Sequence, residues 1–173
     1  MFSLFFQKTK KQDKENLNGI FRKTQKHIQS FLDRDDWSYE FNEEKEYFKT
    51  GIKLDGKLKR CDIIVDIRED YYIVYGIIDI TADKNNIQNM AEFLHRVNNR
   101  LTFGSFELFY EDGEIRSKIL VDCGDDCDCL PSDSIIKRSL HFPAILFDEY
   151  SDGLLGVMFD FLTPEEAIEK LDD

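Results

Sequence analysis

The sequence predicts an α+β fold with a five-stranded, mostly antiparallel sheet and helices packed on it. Segments in which apolar residues recur every three or four positions indicate amphipathic helices, and segments that alternate with period two indicate strands. The strands occur in two groups with short connections, which favours antiparallel pairing. The predicted order is α-β-β-β-α-β-β-α-α, and such grouping of strands and helices is typical of α+β domains.

The first predicted helix covers residues 17–35. Its apolar face consists of Ile20, Thr24, Ile28, Phe31 and Leu32. Three aspartates follow within residues 33–36, and acids are unfavourable at the negative end of a helix dipole. The helix is therefore expected to end near Leu32.

Three strands are predicted next, at residues 48–54, 61–67 and 71–80. Asp55-Gly56 lies between the first two and is the signal for a tight two-residue hairpin. The third strand is apolar on both faces, and one of these faces carries Tyr71, Ile73, Tyr75 and Ile77. A strand of this kind is usually central in its sheet or covered on both sides.

The second half of the chain predicts a helix over residues 81–101 and then a hairpin whose turn is Asp112-Gly113. Helical spacing returns from residue 135 to residue 161, where Pro143 is expected to kink or break the helix. A last short helix is predicted after Thr163. Thr163 is expected to cap it, and Pro164 takes the first helical position, where proline is favoured.

Charge is divided unevenly along the chain. The 173 residues include 35 acidic and 23 basic side chains, which gives a formal net charge of −12. Residues 1–30 hold seven Lys and Arg against two Asp and Glu, so the rest of the chain is even more acidic. We expect a basic, flexible tail at residues 1–16 and a single domain at residues 17–173. An acidic body repels phosphate backbones, which disfavours nucleic-acid binding.

The N-terminal residues also bear on location. In a secretory signal the positive charge precedes an apolar stretch, whereas here a short apolar run precedes the lysines. No window approaches the roughly 18 apolar residues of a membrane span. Four cysteines without a secretion signal predict a cytoplasmic protein with free thiols. Phe and Leu beside the tail lysines also allow weak, reversible contact with an anionic membrane surface.

Three cysteines, Cys123, Cys127 and Cys129, lie within seven residues of one polar loop. Structural zinc takes four thiolate or imidazole ligands, and paired cysteines two to four residues apart are common in such sites. A fourth ligand would have to come from elsewhere, and the candidates are Cys61, His95 and His141. The simpler alternative is a surface loop with free thiols and no cofactor.

The aromatic residues indicate a binding surface. Five of them cannot all share one core: Tyr39, Phe41, Tyr47, Tyr71 and Tyr75. Some are expected to line a sheet face open to a partner, since Tyr is favoured at protein interfaces. The alternative is that helices cover them.

No nucleophile–base pair, phosphate loop or cofactor motif is visible, so an enzyme is not predicted.

The centre of the chain, residues 91–115, resembles the YbjN family. The match is carried by a helix end, a glycine, a Phe-x-Leu strand and an Asp-Gly turn. These residues are Val97, Asn98, Leu101, Gly104, Phe106, Leu108, Asp112 and Gly113. The resemblance extends over roughly residues 18–171 through the joint order and spacing of the elements.

The resemblance implies a fold similar to type III secretion chaperones, which are small acidic proteins that often dimerise and hold a partner segment. YbjN-like proteins are described as regulators of sensory or stress processes without defined catalytic residues. We therefore expect a non-catalytic, chaperone-like adaptor whose partner is another protein, with homodimerisation as a further expectation. The alternative function is a metal- or thiol-sensing protein that uses Cys123, Cys127 and Cys129.

Overall fold

The computed structural model describes residues 11–124 and 130–171. Its helices are α1 (Lys11–Arg34), α2 (Ile87–Asn98), α3 (Asp133–Met158) and α4 (Pro164–Glu169). Its strands are β1 (Glu40–Asn42), β2 (Tyr47–Lys53), β3 (Arg60–Ile67), β4 (Tyr71–Thr81), β5 (Ser105–Leu108) and β6 (Glu114–Asp122). Among these residues, no helix is both long enough and apolar enough to cross a membrane.

The six strands form one antiparallel sheet in the order β1-β2-β3-β4-β6-β5. The α+β class is confirmed, but the predicted number of five strands is wrong because β1 was not foreseen. β1 has three residues, too few to show alternation, and it is a strand because Phe41 pairs with Phe48 of β2. The prediction that the doubly apolar strand is central is confirmed, since β4 lies between β3 and β6.

The helices pack on one face of the sheet, and the hydrophobic core lies between the helices and that face. The strands contribute Phe48, Cys61, Ile63, Val65, Tyr72, Val74, Ile115 and Ile119 to this core. Ser139 of α3 reaches the sheet, where its hydroxyl lies 3.0 Å from that of Tyr72. Phe106 of β5 contacts the rings of Phe147 and Tyr150 of α3 edge-on.

The long helix α3 is continuous across Pro143, so the break that was one of the two predicted effects of this proline, a kink or a break, does not occur. Proline removes one helical hydrogen bond, but Leu140, Leu146 and Phe147 on either side are fully buried. Pro143 also lies directly over Gly76 of β4, where an added Cβ would be 2.5 Å from the proline Cβ. Tertiary contacts therefore hold the helix together where local propensity would end it.

Several boundaries differ from those predicted. α1 begins at Lys11, within the segment expected to be a tail, and ends at Arg34 rather than near Leu32. The predicted two-residue hairpin at Asp55-Gly56 is wrong, because β2 and β3 are joined by residues 54–59. The Thr163 cap of α4 is confirmed: its hydroxyl accepts from the Glu166 N–H while the Glu166 carboxylate accepts from the Thr163 N–H.

Candidate functional site: the open face of the sheet

The five aromatic residues considered as binding residues divide between the two faces of the sheet. Tyr39 and Phe41 belong to the helix-covered side, where both rings contact Phe48 with centroids 5.5 and 4.7 Å away. Tyr47, Tyr71 and Tyr75 lie on the opposite side, and all three are half-buried. The described helices contact the other side of the sheet. We call this second side the open face.

The register of the strands arranges the open face in three rows. The middle row contains Glu40, Lys49, Ile64, Tyr75, Lys118 and Ser105. The row on one side contains Gly51, Asp62, Ile77, Arg116 and Glu107. The row on the other side contains Asn42, Tyr47, Asp66, Ile73 and Leu120. Directly paired residues point to the same side of a sheet, so each row is a continuous strip of side chains.

An apolar stripe follows β4 through the middle of the open face. It is formed by Tyr71, Ile73, Tyr75 and Ile77, with Leu120 beside Ile73. Ile73 is 8% exposed, whereas Leu120 on the neighbouring strand is 53% exposed. Partial burial raises the pKa of the Tyr75 hydroxyl above its usual value. The stripe is thus an apolar surface that its own neighbours cover only in part.

Charged residues flank the stripe in neutralised pairs. Lys118 donates to Glu107 at 2.9 Å, and this hydrogen bond raises the lysine pKa. On the other flank, Asp62 accepts from Arg60 at 2.7 Å. The three rows hold three basic and four acidic side chains: Lys49, Arg116, Lys118, Glu40, Asp62, Asp66 and Glu107. The charges of these three rows nearly balance, whereas the chain as a whole has a formal net charge of −12.

The edges of the sheet are poor sites for adding a partner strand. At one end β1 is only three residues long. At the other end, the side-chain amide of Asn98 occupies the outer edge of β5 at Phe106. Short or covered edge strands resist pairing with another chain. The available apolar surface of this sheet is therefore its open face rather than its edges.

The cysteine loop is described only in part. Cys127 and Cys129 lie outside the described residues, whereas Cys123 is buried beside α1 and burial raises the pKa of its thiol. Cys61 lies in the core, and burial raises its thiol pKa to about 12. A raised pKa keeps a thiol protonated and unreactive. Within the described ranges, no three His, Cys, Asp or Glu side chains are grouped to hold a metal ion.

The two histidines considered as zinc ligands lie apart from this loop. His95 is exposed on α2. His141 of α3 contacts Trp37, with ring centroids 5.2 Å apart. Burial and the nearby Lys137 lower the His141 pKa.

Sequence reasoning missed part of the open face. Ile64 and Leu120 fall at positions that alternate with the buried side of their strands, where polar residues are expected. An apolar residue at such a position was the available signal, and in this fold both lie beside the β4 stripe.

A separate groove of about 490 Å³ between α3 and α4 includes Phe161, Leu162 and Leu171.

Fold and face together define an α+β protein with one helix-covered and one open side of its sheet. In comparisons with known proteins, the chain matches no family model and no curated protein.

Proposed function

We propose that this protein is a non-catalytic protein-binding module that holds a partner segment against the open face of its sheet. The observation that supports the proposal is the partly exposed apolar stripe along β4 with Leu120 at its side. Contiguous apolar surface rimmed by polar residues is typical of sites of protein interaction. Tyr71 and Tyr75 add large amphipathic rings, which are favoured in such sites.

The resemblance to the YbjN family supports the same proposal. Under that assignment the protein is a chaperone-like regulator of a sensory or stress process in the cytoplasm. The free thiols of Cys61 and Cys123 suit a reducing compartment. In this chain, we assign the role of holding a partner segment to the open face.

The charge distribution assigns separate roles to the face and to the body around it. Contact on the open face rests on burial of the apolar stripe, at about 25 cal/mol per Å². The surrounding acidic body attracts basic partners over longer distances and raises their association rate. Added salt is therefore expected to slow association more than it speeds dissociation.

Site-specific photo-crosslinking tests the proposal. Leu120 on the open face and Ile145 on α3 are matched, since they are 53% and 52% exposed. A photoreactive phenylalanine is placed at either position in the cells that express the protein. We expect a specific protein to be crosslinked from position 120 and not from position 145. The same products from both positions, or no protein partner from position 120, would contradict a binding role for the open face.

A further inference from the structure

Along the apolar stripe, the backbone of β4 is hydrogen-bonded within the sheet on both sides. From Tyr71 to Ile77, β4 pairs with β6, and from Tyr72 to Ile77 it also pairs with β3. The edge strands β1 and β5 are short or covered. A partner that lies on the open face therefore contacts side chains and receives no backbone hydrogen bonds from the stripe.

A segment held on such a face must satisfy its own backbone. Buried N–H and C=O groups without partners are costly, and a single extended segment has no partner for its backbone here. An α-helix bonds its backbone internally. The covered face shows such an arrangement, because α3 contacts β3, β4 and β6 from that side. A helix is therefore the element that suits the open face.

The apolar stripe has an exposed aspartate at either end. At one end, Asp122 of β6 is the register partner of Tyr71. At the other end, Asp79 lies two residues beyond Ile77. Asp79 lines a cleft of about 580 Å³ there together with Ile77 and Glu114. Both ends of the stripe are therefore acidic.

The other charges that β3 and β6 present on this face are in ion pairs. These pairs are Arg60–Asp62, Asp66–Arg68, Arg116–Glu114 and Lys118–Glu107. Within the described part of the chain, Asp79 and Asp122 form no ion pair. The two charges that are left for a partner on β4 and its neighbouring strands are thus negative, and they are complementary to bases.

We infer that the segment held by the open face is an amphipathic helix with a basic residue toward each end. The inference rests on the proposed function, since it names the kind of segment that the same surface holds. The apolar side of the helix covers Ile73 and Leu120, and its bases lie near Asp122 and Asp79. These two aspartates mark a length of about 25 Å along β4, which corresponds to about 17 helical residues.

Designed peptides test this inference with the full-length protein. The first peptide, of about 18 residues, has leucines at helical spacing on one side and a lysine toward each end. The second has glutamates in place of the lysines, and the third has the composition of the first with its leucines at every second position. Fluorescence anisotropy measures the dissociation constant of each labelled peptide. We expect the first to bind at least about tenfold more tightly than the others, and to gain helical circular dichroism on binding.

Neutralising the two aspartates separates a local contact from the general acidity of the protein. The double variant Asp79→Asn, Asp122→Asn should weaken binding of the lysine peptide by about fivefold or more. The control is Glu149→Gln, Asp152→Asn, which makes the same change in net charge at exposed positions of α3. Its affinity for the lysine peptide should stay within about twofold of the wild type.

Three results would overturn the basic helix as the occupant. They are equal affinity for the lysine and glutamate peptides, tighter binding of the peptide with alternating leucines, and equal losses in the two double variants. The proposed function has a separate readout, which is crosslinking of a specific protein from position 120. If that protein is found but its bound segment is extended or acidic, the open face remains the binding surface and the basic helix is wrong.

Discussion

The side-chain amide of Asn98 pairs with the backbone of Phe106 as a neighbouring strand would. Asn98 Nδ2 donates to the Phe106 carbonyl at 2.9 Å, and Asn98 Oδ1 accepts from the Phe106 N–H at 2.7 Å. This contact joins the end of α2 to the outer edge of β5. The contact explains why an asparagine lies eight residues before Phe106, the first residue of the Phe-x-Leu motif.

Removing this amide should destabilise the fold. We expect Asn98→Ala to lower the free energy of unfolding by about 1–3 kcal/mol, because two partly buried backbone groups lose their partners. Urea denaturation measures the change. Asn99→Ala, at an exposed neighbouring position, should change stability by less than about 0.5 kcal/mol. Equal effects of the two substitutions would show that the contact does not stabilise the edge of β5.

The contact between Gly76 and Pro143 gives a second prediction. A Cβ at position 76 would lie 2.5 Å from the Pro143 Cβ and 2.6 Å from the Ser117 hydroxyl. We expect Gly76→Ala to destabilise the protein by about 1–3 kcal/mol through overpacking. Gly19→Ala provides a contrast, because nothing lies within 4 Å of its added Cβ on α1. That variant should be more stable than wild type by about 0.5–1 kcal/mol, and thermal unfolding of both variants is the measurement.

His141 should contribute to the pH dependence of stability. Its pKa in the folded protein is lowered, first by burial and then by Lys137. The unfolded chain therefore binds a proton at a higher pH than the folded protein does. Stability is complete above the unfolded pKa of about 6.5 and is lost as the pH falls below it. Compared with His141→Phe, the wild type should lose stability between about pH 7.5 and 5. Parallel stability curves for the two proteins would contradict this assignment.

The Cys61 thiol should be almost inert in the folded protein. Its pKa of about 12, against an ordinary value of about 8.5, implies a thiolate fraction about a thousandfold lower at pH 8. In a variant that retains only Cys61, alkylation by iodoacetamide should be slowed at least that much compared with the urea-unfolded chain. Rapid modification of the native protein would show that this thiol is accessible and ionised.

Local patterns predicted much of the fold because they depend on neighbouring residues. The β2, β3 and β4 strands, the α2 helix and the Thr163 cap all follow from alternation, helical spacing or capping chemistry. β1 and the continuity of α3 across Pro143 do not, since both depend on contacts between distant segments.

The same difference applies to the candidate site. Tyr71 and Tyr75 could be singled out from the pattern of one strand. The separation of Tyr39 and Phe41 from them, and the position of Leu120 beside Ile73, require the order and register of the whole sheet. A single strand does not show which strands will lie beside it.

The affinity of the partner crosslinked from position 120 tests the binding role of the open face most directly. Leu120→Asp places a charge beside the apolar stripe, whereas Ile145→Asp places the same charge at an equally exposed position on α3. We expect Leu120→Asp to weaken binding by about tenfold or more and Ile145→Asp to change it by less than about twofold, as measured by isothermal titration calorimetry. Unchanged affinity in Leu120→Asp, or equal losses in both variants, would contradict the open face as the binding surface.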